Sequence, residues 1–234
     1  MKLVSHASQE LKNILYGTAV YVLPIKPVVQ FDIPYVSQFA HPDSAELTLE
    51  GGLDAADDPA WSETGAASPE QYAQWALTMC GMASTAMALG HFTGEVPKLV
   101  PLAEDAMKHD VYIDEKGIIS GMRYREFASW SKKYGLKASI YTRLSIRGIQ
   151  RALSEGKLVM VSVNPNIRGN NTAPERQKGG HLVIVTGYDV SKGTITINNP
   201  SGYSRTDTQI GHQLTLPEFK KYYAGRGIVL SLAK

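Results

Sequence analysis

The stretch GGHLVIVTGYDVSKGTITINNP, Gly179–Pro200, carries two strand patterns back to back. His181–Asp189 and Thr194–Asn198 are rich in Val, Ile and Thr, and Ser191-Lys192-Gly193 lies between them as a turn. The histidine opens the first strand directly after Gly179-Gly180, so its ring sits at a strand end beside backbone that can approach a ligand closely. The second strand ends in Asn198-Asn199-Pro200, and an asparagine side-chain oxygen can accept the second N–H of an imidazole and so fix its tautomer. Adjacent strands of a hairpin set two such residues side by side. Each piece also has an ordinary reading, the histidine as a polar strand cap and Asn-Pro as a turn.

Outward from this hairpin the texture is uneven. Leu158–Val163 and Gly227–Leu232 read as further strands, so strands dominate the second half of the chain. The first half is helical. Small and apolar residues recur at helical spacing over Cys80–Phe92, and further helices are expected at Lys98–His109, Ser120–Tyr134 and Ser145–Glu155, the last two closed by Gly135 and Gly156. Ser68 followed by Pro69 is a helix start ahead of Cys80. Helices first and strands last argue for α+β, with two lobes sharing one interface, over an alternating parallel sheet.

The one cysteine of the chain, Cys80, stands at the expected start of a helix whose next residues are small. A helix amino terminus offers unsatisfied N–H groups and partial positive charge, both favourable to a thiolate, and the same groups can hold an oxyanion. The ordinary alternative is a small buried hydrophobe. A cysteine nucleophile needs a base, and His181 is the best-placed one. Gln38, at the end of the extended run Phe31–Gln38, offers a carboxamide as a second oxyanion donor.

Other chemistry is less well supplied. There is no phosphate loop, dinucleotide fingerprint, zinc-protease motif or nucleophile elbow, and the six histidines have no ligand spacing. Neither a metal nor a cofactor is expected. The 234 residues carry 24 basic and 22 acidic side chains, and a net charge of +2 makes no general case for nucleic acid. One cysteine excludes a disulfide framework, and the longest apolar runs, around Leu15–Pro24 and Leu182–Gly187, fall short of a membrane span. The chain reads as soluble and cytoplasmic.

Between Phe39 and Met79 lie eight acidic residues (Asp43, Glu46, Glu50, Asp54, Asp57, Asp58, Glu63, Glu70) and no lysine or arginine. With its turn signals this segment, 39–79, reads as an acidic insertion, either a solvated excursion or a lid over a site. The polar run Asn164–Lys178 just before His181 is expected to rim the same cleft. If both flank it, the acidic side favours a basic or amine-bearing substrate. Trp61, Trp75 and the methionines Met79, Met82 and Met87 read as packing.

The order Gln38, Cys80, His181, Asn199, helices first and strands last, resembles the papain-like cysteine peptidases. Three segments are similar to the bacteriocin-processing, double-glycine-leader peptidases and their stand-alone relatives: IPYVSQ at Ile33–Gln38, CGMASTAM at Cys80–Met87, and the Gly179–Pro200 hairpin. The resemblance covers roughly Phe31 to Leu232, leaving residues 1–30 as an amino-terminal segment ahead of a domain at 31–234. It implies a helical lobe with an active-site helix and an antiparallel second lobe. It also implies Cys80 as nucleophile, His181 as base, Asn199 as orienting residue and Gln38 as oxyanion donor. Many members carry Asp where Asn199 stands, and the Gln38–Cys80 spacing is long, so Gln71 or Gln74 could substitute as donor. A thiolate paired with protonated His181 would attack a peptide or amide carbonyl, with release to water in a peptidase or amidase and to an amine in an acyltransferase or transpeptidase. A non-catalytic peptide-binding module of the same fold is the remaining alternative.

Overall fold

A computed structural model describes residues 24–169, 173–174 and 176–233. Most of the amino-terminal segment, the apolar run at Leu15–Pro24 save its last residue, and part of the Asn164–Lys178 loop therefore lie outside the described residues. The strands are β1 (Val28–Gln30), β2 (Asp114–Glu115), β3 (Ile118–Ile119), β4 (Leu136–Tyr141), β5 (Leu158–Val163), β6 (His181–Asp189), β7 (Thr194–Asn198), β8 (His212–Thr215) and β9 (Tyr223–Leu232). The helices are α1 (Ser44–Leu49), α2 (Pro69–Ala76), α3 (Cys80–Thr93), α4 (Leu99–Met107), α5 (Tyr124–Trp130), α6 (Ile146–Ser154) and α7 (Leu216–Tyr222). This is an α+β fold with a papain-like order of parts.

The sheet is antiparallel, in the order β4-β9-β5-β6-β7-β8, with β1 added against the end of β6. Its central strand β5 is buried along its whole length. Alternation of side chains explains why. Leu158 and Met160 join Leu182, Ile184, Ile228 and Leu230 on the face packed by α3, whereas Val159, Val161 and Val163 join Val183, Val185 and Val229 on the face covered by α6 and Phe219 of α7. With both faces covered, the strand sequence loses its polar positions.

The helix α3 is almost wholly interior. Every residue from Gly81 to Leu89 is buried, so its sequence is apolar or small all round and lacks a polar face. Its glycines set how closely it packs. A Cβ on Gly81 would come within 2.8 Å of Met122 Sδ, and one on Gly90 within 2.6 Å of Pro34 Cγ. Cys80 therefore begins a helix gripped between the sheet and the extended 31–38 segment.

Local signals account for most boundaries. Ser68 accepts from the Gln71 N–H with Pro69 in the first turn, and Ser145 accepts from the Gly148 N–H at the head of α6. The expected helix at Ser120–Tyr134 begins later, at Tyr124, because residues 118–123 run extended, with the Arg123 N–H donating to the Val111 carbonyl. Segment 39–79 is no loose loop. It folds into α1, two short 3-10 turns and α2, and it buries Tyr72, Trp75 and Ala76 in the core under α3. Among the described residues no helix is long and apolar enough to cross a membrane.

Candidate active site

Cys80 is the first residue of α3 and is half-buried. It opens onto a cavity of about 580 Å³ that His181, Leu182, Met122, Tyr124 and Arg226 also line. The cavity lies where the amino end of α3 meets the start of β6, so helical and sheet portions each supply one wall.

The hairpin does set His181 and an asparagine side by side. His181 pairs with Val163 in β5, and β6 pairs with β7 as far as Ile184 opposite Asn198. His181 Nε2 lies 2.7 Å from Asn199 Oδ1. Asn198 turns elsewhere, its Nδ2 toward the Ile33 carbonyl and its Oδ1 to the Gly211 N–H. The orientation of Asn199 is set by a backbone donor, the Ser201 N–H, 3.2 Å from the same Oδ1. That bond makes the atom facing His181 an oxygen, so Nε2 carries the hydrogen and Nδ1 of the neutral ring is the free acceptor.

Ser201, which the sequence did not single out, touches this pair, and Arg168 reaches it through Ser201. Ser201 Oγ lies 3.1 Å from His181 Nε2 and accepts from Arg168 Nε at 2.8 Å. Arg168 is buried, held in the short 3-10 turn at Pro165–Arg168. Its carbonyl accepts from the Thr206 and Thr208 hydroxyls, each at 3.1 Å. The Tyr112 hydroxyl is also buried here, without a hydrogen-bond partner among the described residues, next to Gly81.

Burial dominates the electrostatics. It pushes the His181 pKa down to about 3, helped by the nearby Arg168 cation and opposed by the bond to Asn199. Burial raises the Cys80 thiol, against the pull of the Leu182 N–H, the Arg168 charge and the N–H groups at the start of α3. A thiolate–imidazolium pair was expected from the residue types alone. Both shifts instead run toward the neutral forms, because burial desolvates the two groups and the neighbouring cation opposes the imidazolium. The ring's hydrogen-bond partners are Asn199 and Ser201, and the thiol is not among them.

Gln38 is buried beside this arrangement. Its backbone N–H donates to the Pro200 carbonyl at 2.8 Å and its side-chain nitrogen to Ala76, four residues before Cys80, at 2.9 Å. One amide hydrogen remains for another acceptor, while Oε1 has no partner among the described residues. The alternative donors are committed elsewhere, Gln71 to Glu104 and Gln74 to Asp114. None of the eight acids of segment 39–79 lines the cavity. Glu46 and Glu50 pair instead with Arg205, at 2.6 and 3.4 Å, and Asp43 with the Ser204 hydroxyl, so the segment clamps the turn that follows Asn199. Among the described residues no group of three His, Cys, Asp or Glu could hold a metal ion.

Three crystal structures are similar to this one. They are a double glycine motif protease from an AMS/PCAT transporter in complex with the leader peptide (19% identity, TM-score 0.44, covering 67% of this chain and 86% of that one), the peptidase domain of Streptococcus ComA, a bi-functional ABC transporter of a quorum sensing pathway (16%, 0.41, 67% and 92%), and a C39-like chain from Bacillus anthracis (19%, 0.45, 67% and 90%). Among curated proteins no sequence matches. The model of the Peptidase_C39 like family matches residues 31–229, from the segment leading to Gln38 through the Cys80 helix and the His181–Asn199 hairpin into β9. A match over that much of the sequence makes the chain a member of the C39-like peptidase family.

Proposed function

We propose that the protein is a cysteine peptidase in which Cys80 attacks a peptide carbonyl, His181 is the base and Asn199 orients it. The observation that carries this reading is the 2.7 Å contact between His181 Nε2 and Asn199 Oδ1, in the wall of the cavity onto which Cys80 opens. Nδ1 of the neutral ring takes the thiol proton as sulfur bonds to the carbonyl carbon. It then returns that proton to the departing amine. Water resolves the acyl-enzyme with the same nitrogen as base. The oxyanion is stabilised by N–H groups at the start of α3, and the second amide hydrogen of Gln38 is the side-chain donor.

Hydrolysis is favoured over transfer to an amine by membership in a peptidase family. The test is incubation of the wild-type chain, Cys80→Ala and His181→Ala with a mixed peptide library, followed by mass spectrometry. New peptide termini formed by the wild type and missing from both variants support the reading. Equal product patterns for all three would overturn it.

A further inference from the structure

Among the described residues that line the cavity shared by Cys80 and His181, one side chain is permanently charged, and it is a cation. Arg226 projects into the cavity from β9, beside Tyr124 and Ser162, and none of the described residues lining the cavity is acidic. The strand is irregular here: the pairing of β9 with β5 shifts register opposite Val161–Val163, and Gly225 has φ +73°. Such an irregularity re-aims a side chain. The contacts of the guanidinium among the described residues are the Lys178 carbonyl, 3.5 Å from Nη2, and the Tyr124 side chain. No described carboxylate pairs with it, although its planar fork suits bidentate recognition of one.

The Gly-Gly pair before His181 belongs to the same construction. A Cβ on Gly179 would come within 2.5 Å of Arg226 Nη2 and 2.7 Å of Ser162 Oγ. Glycine at 179 thus leaves room for a guanidinium two residues from the base.

We propose that Arg226, with the Tyr124 and Ser162 hydroxyls, forms a carboxylate-recognition subsite in the Cys80 cleft, so that the substrate presents an acidic group close to the bond attacked. This rests on the peptidase reading above and reverses the substrate charge suggested by the acidic segment, whose acids lie away from the cavity. The carboxylate could belong to an Asp or Glu side chain or to a chain terminus.

Paired alkylating reagents test it without a known substrate. Iodoacetate carries a carboxylate and iodoacetamide does not, and both place their carbon on Sγ with loss of iodide. The rate ratio of iodoacetate to iodoacetamide at Cys80 should fall about tenfold or more in Arg226→Gln and fall less in Arg226→Lys. A ratio unchanged in Arg226→Gln would overturn the subsite. Failure of the peptidase reading is seen separately, as wild-type iodoacetamide labelling no faster than that of His181→Ala. Protection from iodoacetamide then distinguishes the carboxylate's source. Protection by acetyl-Ala-Glu-Ala-amide over its Gln counterpart identifies a side chain, and protection by acetyl-trialanine free acid over its amide identifies a terminus. Equal protection by all four, insensitive to Arg226→Gln, would count against the subsite.

Discussion

The Ser201 backbone N–H donates to Asn199 Oδ1, and that bond decides which nitrogen of His181 can act as a base. A backbone N–H has no alternative role, so Asn199 must present oxygen to both Ser201 and the His181 ring. Nε2 is then the donor, and Nδ1 accepts.

Replacing Asn199 should separate orientation from charge. Asn199→Ala removes the acceptor and frees the tautomer, and kcat/KM should fall about 10- to 100-fold, the loss of about 1.4 to 2.7 kcal/mol of transition-state alignment. Asn199→Asp keeps the acceptor and adds a charge that stabilises the imidazolium, so it should recover activity and move the acid limb of the pH–rate profile upward in pH. Equal losses in both variants would contradict this role.

Arg168 donates to Ser201 Oγ and brings a cation close to Cys80 and His181, so its removal should show in the thiol's titration. Its cation favours the Cys80 thiolate and disfavours the His181 imidazolium. Arg168→Met should slow Cys80 alkylation at neutral pH by about tenfold and shift its pH midpoint upward. The variant also removes the Arg168 Nε donor of Ser201 Oγ, so the thermal midpoint should fall by the loss of one buried hydrogen bond while the thiol profile moves. A lowered midpoint with an unmoved profile would mark Arg168 as structural.

Acid stability follows from His181. Folding lowers its pKa from the usual 6.5 to about 3, so the folded state binds fewer protons than the unfolded chain. Its contribution is complete above pH 6.5 and is lost as pH falls toward 3, amounting to about 2 kcal/mol by pH 5. Urea midpoints at pH 7.5 and pH 5 should therefore differ more for the wild type than for His181→Gln. Identical pH sensitivity would show that the ring is not desolvated as described.

Gly179 should resist substitution for two reasons. It has φ +89°, and a Cβ there meets Arg226 and Ser162. Gly179→Ala should destabilise the fold by about 1–3 kcal/mol in chemical denaturation. Gly94, at φ +82° with open space around it, isolates the backbone part of that cost.

Much of the site was legible because its parts sit where local sequence rules are strong. The β6–β7 hairpin, its Gly-Gly entry and its Asn-Asn-Pro exit announce themselves by composition, as do the apolar run of α3 and the capped start of α2. Which asparagine meets His181 was not legible from strand pattern, and only the family resemblance pointed to Asn199: alternation along an extended chain sends Asn198 and Asn199 opposite ways, and register with β6 chooses between them. Arg168 was hidden for a different reason. A buried arginine in a polar loop looks like any solvated one until tertiary contacts close around it. Segment 39–79 misled through its charges, because six of its eight acids are exposed, with Asp58 buried and Glu46 half-buried, while Tyr72 and Trp75 form core. The direction of the Cys80 and His181 shifts is likewise set by burial, which residue types alone do not report.

The most direct measurement is the pH dependence of Cys80 alkylation by iodoacetamide in the wild type and in His181→Ala. The geometry predicts a rate that climbs through neutral pH without a plateau in mildly acidic solution, and that drops at least about tenfold at pH 7 when the imidazole is removed. A profile unchanged by His181→Ala would contradict the pairing of Cys80 with His181.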